Sequence, residues 1–437
     1  MSSAHIQNGP AGLVFGDEIL ESALVEIFPY RFLEVEWIHR LKDILMELRT
    51  ICCAPAAKAF RMEPNSTPTL VLMRIAIDAH SLGTQAGGNE TYFRQLLQGL
   101  AHDQSKNQYS ILYTHASARD QVRDDRFTFT AIPKNPLVRI CVSLPRLLKK
   151  TKPDVFHCQY IQPPRVNTKT VVSIHDLAYE HFPEFFHPLE ALRMKKLVRW
   201  TARRASHILT LSEFSAADIA SRFGIAREKI TVTPLAASAD FHPREKRLCQ
   251  EHLARVYKID SSFILYVGRI QARKNLIRLV EAYARVREQG VNAKLVIVGK
   301  PDWQFERLVA RIKELKLEPF VIFPGYVPWE DLPLFYNAAE VFVFPSFFEG
   351  FGLPVVESMA SGVPTITSYG SSLEEVAGDG ALLVDPLDTS AIAEALGKLL
   401  GDQELRARLI SRGLQRSSQF KAEDLTLRAL DVYRALQ

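Results

Sequence analysis

Cysteine is scarce in this sequence of 437 residues: five in all, an odd number, with only Cys52 and Cys53 adjacent. That excludes a disulfide framework, and no spacing suits zinc ligands, so the thiols are expected to be reduced and buried. No stretch reaches the roughly 18 uninterrupted apolar residues of a membrane-spanning helix. The N-terminus has no basic segment leading into an apolar one, which speaks against a secretory signal, so a cytoplasmic location is expected. No Gly-x-Gly-x-x-Gly follows the first strand of either half, which sets aside dinucleotide oxidoreductases. No Asp-x-Asp pair stands at a strand end, so no carboxylate-held metal is expected.

What is present fits a two-domain α/β protein. A chain of this length, 47% hydrophobic and 24% charged, exceeds what one core fills, since single cores stop growing near roughly 250 to 300 residues. Charge is unevenly distributed. Residues 73–255 carry 27 Lys/Arg against 17 Asp/Glu, whereas 1–72 and 256–437 are slightly acidic. A surplus confined to the middle third suits an anionic neighbour such as a lipid surface or a phosphorylated acceptor; scattered solubilising charge is the alternative. Residues 1–72 read as an extension or a misassigned start, with Met73 a candidate first residue, a helix expected over Glu34 to Arg49 and a loose run from Ala54 to Thr69.

From Met73 onward short apolar runs alternate with amphipathic stretches, the pattern of βαβ units on a parallel sheet. Strands are expected over Arg74 to Asp78, Tyr109 to Tyr113, Val155 to Cys158, Val171 to His175, Ile208 to Ser212 and Ile230 to Thr233. After a charged break the alternation restarts at Phe263 to Val267. It continues at Lys294 to Val298, Val321 to Phe323, Val341 to Phe344, Thr365 to Thr367 and Leu382 to Val384. The reading is two doubly wound sheets, 73–255 and 256–437, the last helix packing back on the first domain. Ligands of such sheets sit beyond the carboxyl ends of the strands, so a facing pair encloses one cleft.

Four loops at strand ends carry candidate chemistry. After Phe344, the run from Pro345 to Glu357 gives strand, Gly-rich turn and helix, with Glu349 in the loop, Gly350 and Gly352 allowing close backbone approach and Pro354 in the helix's first turn. Free amides there face an anion. After Val267, Gly268-Arg269-Ile270-Gln271-Ala272-Arg273-Lys274 delivers cations to the cleft, and fixed cations stabilise charge building on a departing diphosphate. Between the first strand and the helix expected from Thr91 to Leu100 lies Gly87-Gly88-Asn89-Glu90, with Asn89 a candidate cap. His175-Asp176-Leu177 places a histidine at a strand's carboxyl end, and Ser212 reads as a helix cap. Each has a bland alternative, namely packing glycines, surface cations, an ordinary turn and a structural histidine.

Together the motifs resemble glycosyltransferase family 4, over roughly Met73 to the C-terminus. The resemblance rests on the two glutamates separated by seven residues in Glu349-Gly350-Phe351-Gly352-Leu353-Pro354-Val355-Val356-Glu357. It implies the GT-B fold, two facing Rossmann-like domains with the active site between them. It further implies that Glu349 contacts donor-sugar hydroxyls, that Gly350 and the amides of Phe351, Gly352 and Leu353 line the diphosphate, and that Glu357 binds ribose. By the same resemblance Arg269 and Lys274 bind the diphosphate, Gly87 and Gly88 form the glycine-rich loop, and His175 faces donor and acceptor. Arg273 reads as a solvated neighbour. His-Asp-Leu followed by Pro183-Glu184-Phe185-Phe186 is similar to a subgroup rich in mannosyltransferases. The family's Pro-Asn-Gly-Val-Asp loop is replaced here by Pro234-Leu235-Ala236-Ala237-Ser238-Ala239-Asp240.

The expected function is a retaining hexosyltransferase. It would use a nucleotide-diphosphate sugar, GDP-mannose ahead of UDP-glucose or UDP-N-acetylglucosamine, and no cofactor or metal. Its partners would be a lipid-linked or polysaccharide acceptor and the inner face of an anionic membrane, with no nucleic acid. The membrane contact is expected over 189–204, where Leu189, Leu192, Met194, Leu197 and Val198 lie among Arg193, Lys195, Lys196, Arg199, Arg203 and Arg204. A nucleotide-sugar 2-epimerase, a phosphorylase and a non-catalytic nucleotide-sugar-binding protein are the rivals. A phosphorylase would need a longer chain, and a silent binder would be expected to lack Glu349, Arg269 or Lys274.

Overall fold

The computed structural model describes residues 72–84, 87–122, 124–302 and 305–437. The expectations for 1–71, including the helix from Glu34 to Arg49, lie outside the described residues. The described chain forms two sheets within one compact unit. The first sheet, of lobe 1, holds β1 (Arg74–Asp78), β2 (Gln108–Tyr113), β3 (Phe127–Ala131), β4 (Val155–Gln159), β5 (Lys169–Ser173), β6 (His207–Thr210) and β7 (Ile230–Val232), in the order β3-β2-β1-β4-β5-β6-β7. The second, of lobe 2, holds β8 (Phe263–Val267), β9 (Lys294–Val298), β10 (Val321–Gly325), β11 (Val341–Phe344), β12 (Thr365–Ser368) and β13 (Leu382–Val384), in the order β10-β9-β8-β11-β12-β13. Every pairing is parallel, for example Ile75 opposite Val155 and Phe342 opposite Thr365. Helices cover both faces, which is why the central strands read as unbroken apolar runs.

On one face of the first sheet, α1 (Gly88–His102) buries Tyr92, Phe93, Leu96 and Leu97. On the other lie α2 (Leu144–Thr151), α3 (Pro188–Arg204) and α4 (Glu213–Phe223), burying Leu148, Val198 and Ile219 in a shared core. In lobe 2, α5 (Lys246–Tyr257) packs on α6 (Leu332–Ala338), while α7 (Leu353–Ala360) and α8 (Ser372–Ala377) follow β11 and β12. The helix α9 (Ala422–Ala435) lies against α1, its Leu425, Ala429, Leu430 and Tyr433 completing the α1 side of the first core. A Cβ added to Gly99 would overlap the Thr426 side chain, so α9 packs that side chain directly on the backbone of α1.

Several expectations need correction. β3 escaped notice because Phe127, Thr128, Phe129 and Thr130 alternate at a sheet edge and form no apolar run. α1 begins at Gly88 with Gly87, φ 66°, as its cap, so Asn89 lies inside the helix and caps nothing. The second core starts at Phe241, and α5 buries Cys249 and Leu253 in it, so a boundary after residue 255 cuts through that helix. Cys158 and Cys249 are buried, but Cys141 is exposed.

Candidate active site

Each sheet reverses its winding at its centre, between β1 and β4 in lobe 1 and between β8 and β11 in lobe 2. The loops at these carboxyl ends, and the one after the neighbouring β5, carry the candidate residues, in line with the rule for doubly wound sheets. β8 ends at Val267, and Gly268 at φ 151° turns the chain so close to Gly299 that a Cβ there would overlap the Gly268 carbonyl. A 3-10 turn, Ala272–Lys274, follows. Asn275, in the left-handed region at φ 61°, closes it and ties it down, its amide donating to the carbonyls of Pro345 (3.1 Å) and Pro386 (2.6 Å).

This turn decides which cations face inward. Arg273 Nη1 lies 3.1 Å from Glu349 Oε2, and Lys274 Nζ pairs with Glu349 Oε1, to which the Ser346 hydroxyl donates at 2.6 Å. Arg273 also donates to the Phe348 carbonyl. The expectation of a solvated Arg273 is therefore wrong: its side chain is only 15% exposed and is paired with Glu349. Arg269 is instead half-exposed at the rim, 3.4 Å from Asp302. Burial alone would raise the Glu349 carboxyl, but Arg273 and Lys274 outweigh it and hold it at about 2. Burial pulls the Lys274 ammonium down to about 8, opposed by Glu349 and reinforced by Arg273.

Gly352, φ 99°, caps α7, whose first amides have no partner within the helix. Those of Phe351, Gly352 and Leu353 belong to this turn. One turn further in, Glu357 is buried, and burial pushes its carboxyl up to about 7 against a hydrogen bond donated by the Tyr336 hydroxyl at 2.9 Å. Beside Gly268, a mostly apolar cavity of 160 Å³ opens at the ends of β8, β9 and β10, lined by Val267, Arg269, Val298, Gly299, Tyr326 and Val327.

Lobe 1 meets this assembly directly. His175, two residues past the end of β5, is buried and held neutral, its pKa lowered to about 3 by burial. Its carbonyl accepts from Ser215 Oγ at 3.1 Å. A Cβ on Gly350 would overlap that carbonyl, so only glycine fits where the lobes touch. Ser212 caps α4 and also donates to the Gly350 carbonyl at 2.9 Å. Glu375 of α8 accepts from the Glu213 and Phe214 amides at 2.9 and 2.8 Å, capping α4 from the opposite lobe. Asp176 accepts from the Ala178 amide at 3.0 Å, a turn-capping role, while its charge faces Arg273 and Lys274.

His175, Lys274, Glu349 and Gly350 thus converge, while Gly87 and Gly88 stand exposed at the start of α1 with open space around each Cα. Glu90 braces that loop, accepting from the Gly83 amide and Arg94, both at 3.1 Å. The altered loop after β7 is tied to α1, Gln95 donating to the Ala236 carbonyl at 2.7 Å. Arg273, Gln159 and Tyr92 were not read from the sequence as site residues. Only Arg273 left a signal, as the neighbour of Lys274. Among the described residues no group of three His, Cys, Asp or Glu is placed to hold a metal.

A buried carboxylate fixed by two cations beside a helix's free amides suits a ligand with both hydroxyls and phosphates. Residues 86–240 match the family described as "Glycosyltransferase Family 4", and residues 251–416 match "Glycosyl transferases group 1". The O-antigen chain mannosyltransferase B of Escherichia coli is 34% identical over 291 residues, covering 66% of this chain and 76% of that protein. The MMP alpha-(1->4)-mannosyltransferase of Mycolicibacterium hassiacum is 34% identical over 238 residues, 53% of this chain and 54% of that protein. Sucrose-phosphate synthase from Thermosynechococcus elongatus shares the fold with a TM-score of 0.70 at 22% identity, covering 83% of this chain and 99% of that one. HepE of Anabaena, in complex with UDP-glucose, does so at 0.68 and 17% identity, covering 83% and 100%.

Proposed function

Because the chain belongs to glycosyltransferase family 4 and is a hexosyltransferase of the GT-B fold, we propose that it transfers mannose from GDP-mannose, with retention, to a lipid-linked or polysaccharide acceptor. One observation carries the reading of the site: Glu349, fixed by Arg273 and Lys274, directly precedes Gly350, which packs on the His175 carbonyl where the two lobes touch. Mannose as the sugar is supported by two relatives that are mannosyltransferases by name. A UDP-hexose is the second reading, favoured by the UDP-glucose in the HepE structure. Thermal-shift measurements with GDP, GDP-mannose, UDP and UDP-glucose separate them. Stabilisation by the guanine nucleotides is expected, and stabilisation by UDP with none by GDP would overturn mannose from GDP-mannose.

In the proposed reaction Glu349 orients hydroxyls of the donor sugar. The Phe351, Gly352 and Leu353 amides and Lys274 hold the diphosphate, joined by Arg269 once it leaves Asp302, and Glu357 takes the ribose. The bond from the anomeric carbon to the diphosphate breaks as the acceptor oxygen approaches from the same face, and the departing phosphate takes the acceptor's proton. Lys274 and the amides stabilise the charge that this departure builds, so no metal is required.

The same proposal places lobe 1 on an anionic membrane. α3 buries Ala191, Val198, Thr201 and Ala202 but leaves Leu189, Leu192, Leu197 and Trp200 exposed beside Arg193, Lys196, Arg203 and Arg204. Exposed leucines and a tryptophan among cations suit the headgroup region. Among the described residues no helix is long and apolar enough to cross a membrane.

A further inference from the structure

We infer that Gln159 fixes His175 in its Nδ1-protonated tautomer, which makes this histidine a neutral hydrogen-bond donor to an oxygen of the bound substrate. Gln159 ends β4, and parallel pairing of β4 with β5 sets it opposite Ser173, two residues before His175. Its amide nitrogen lies 2.9 Å from His175 Nε2 and 3.3 Å from the Asn89 carbonyl. A carbonyl only accepts, so the amide group facing both atoms is the NH2, and it has one proton for each. His175 Nε2 must therefore accept. A neutral imidazole that accepts at one nitrogen carries its proton on the other.

The rest of the surroundings leave that proton one use. Tyr92 packs at 4.6 Å from the His175 ring and Tyr160 meets it edge-on at 5.7 Å, so the ring is held by aromatics and its Nε2 is occupied. Nδ1 is buried and has no partner. A buried donor without a partner is costly, and a substrate oxygen would satisfy it. The histidine stays neutral because burial disfavours its cation. The backbone is committed to the arrangement as well. Tyr160 sits in the left-handed region at φ 53°, and the Ile161 amide closes back on the Gln159 carbonyl at 2.5 Å, a strained turn of the kind that concentrates at functional sites. Gln159 touches no substrate in this account; it is a positioning residue.

The direction of the donated bond rests on the transferase reading, but the tautomer can be measured without turnover. Nitrogen-15 spectra of the histidine-labelled chain distinguish protonated from unprotonated ring nitrogens, and His175→Gln identifies the resonance among the 12 histidines. The unliganded protein should show His175 as a single tautomer with Nδ1 protonated. In Gln159→Glu, a carboxylate that can only accept should draw the ring proton to Nε2, leaving Nδ1 without one. kcat/KM should then fall about tenfold, the worth of one substrate hydrogen bond. Gln159→Asn and circular dichroism control for folding. A native His175 that is Nε2-protonated, doubly protonated or mixed overturns the inference. So does a Gln159→Glu spectrum that leaves the proton on Nδ1. Either result leaves the transferase reading standing, whereas loss of all transfer activity in the native chain would count against that reading alone.

Discussion

Lys274 sits where burial would strip its proton while Glu349 works to keep it. With its pKa near 8 in the unliganded protein, the cation is present at neutral pH and lost as pH rises through that value. Because kcat/KM reports the free enzyme, it should fall above about pH 8. Lys274→Arg keeps its charge and should move that limb upward, and an unmoved limb would assign it elsewhere. Lys274→Ala should lower kcat on the order of 100- to 1000-fold, as loss of one transition-state donor does. Glu357 carries a different signature. Its folded pKa is raised from the ordinary 4.5 to about 7, so it favours the fold fully below 4.5 and that contribution disappears as pH rises through about 7, worth roughly 3 kcal/mol. Without donor, the Tm of the native chain should drop relative to Glu357→Gln between pH 5 and 8; parallel curves would refute the buried-carboxylate account.

The helix α3 supplies the test at the scale of elements. Reversing Arg193, Lys196, Arg203 and Arg204 to Glu should weaken sedimentation with anionic liposomes by tenfold or more, since each surface cation contributes roughly 1 kcal/mol. Replacing Leu192 and Trp200 with Ser should weaken it without changing the salt dependence. No binding at low salt would make a soluble acceptor the better reading. Elements are also where the sequence was most legible. Buried parallel strands such as Phe263–Val267 announce themselves as apolar runs, and the Glu349 to Glu357 loop by its spacing. What stayed hidden depends on contacts distant in sequence. Which of Arg269 and Arg273 turns inward is settled by the 3-10 turn and by Asn275 reaching Pro345 and Pro386. Gln159 becomes a partner of His175 only once β4 lies beside β5.

For the whole molecule, the proposal that cations and amides replace a metal predicts transfer undiminished by excess EDTA. Loss restored by magnesium or manganese would overturn it. The lobes that form the site are joined by a Glu375 cap, by serine hydroxyls on the Gly350 carbonyl and by the close fit of Gly350 against His175. They are joined a second way through α9, whose Tyr433 hydroxyl lies 2.6 Å from His157 Nδ1 inside lobe 1. During synthesis the strands of lobe 1 leave the ribosome first, yet the surface of α1 destined for Leu425, Leu430 and Tyr433 lacks those partners until all of lobe 2 has followed. Lobe 2 can therefore complete its core before lobe 1 does, reversing the usual N-to-C order of domain folding. A nascent chain arrested ahead of α9 would present that uncovered α1 surface to chaperones.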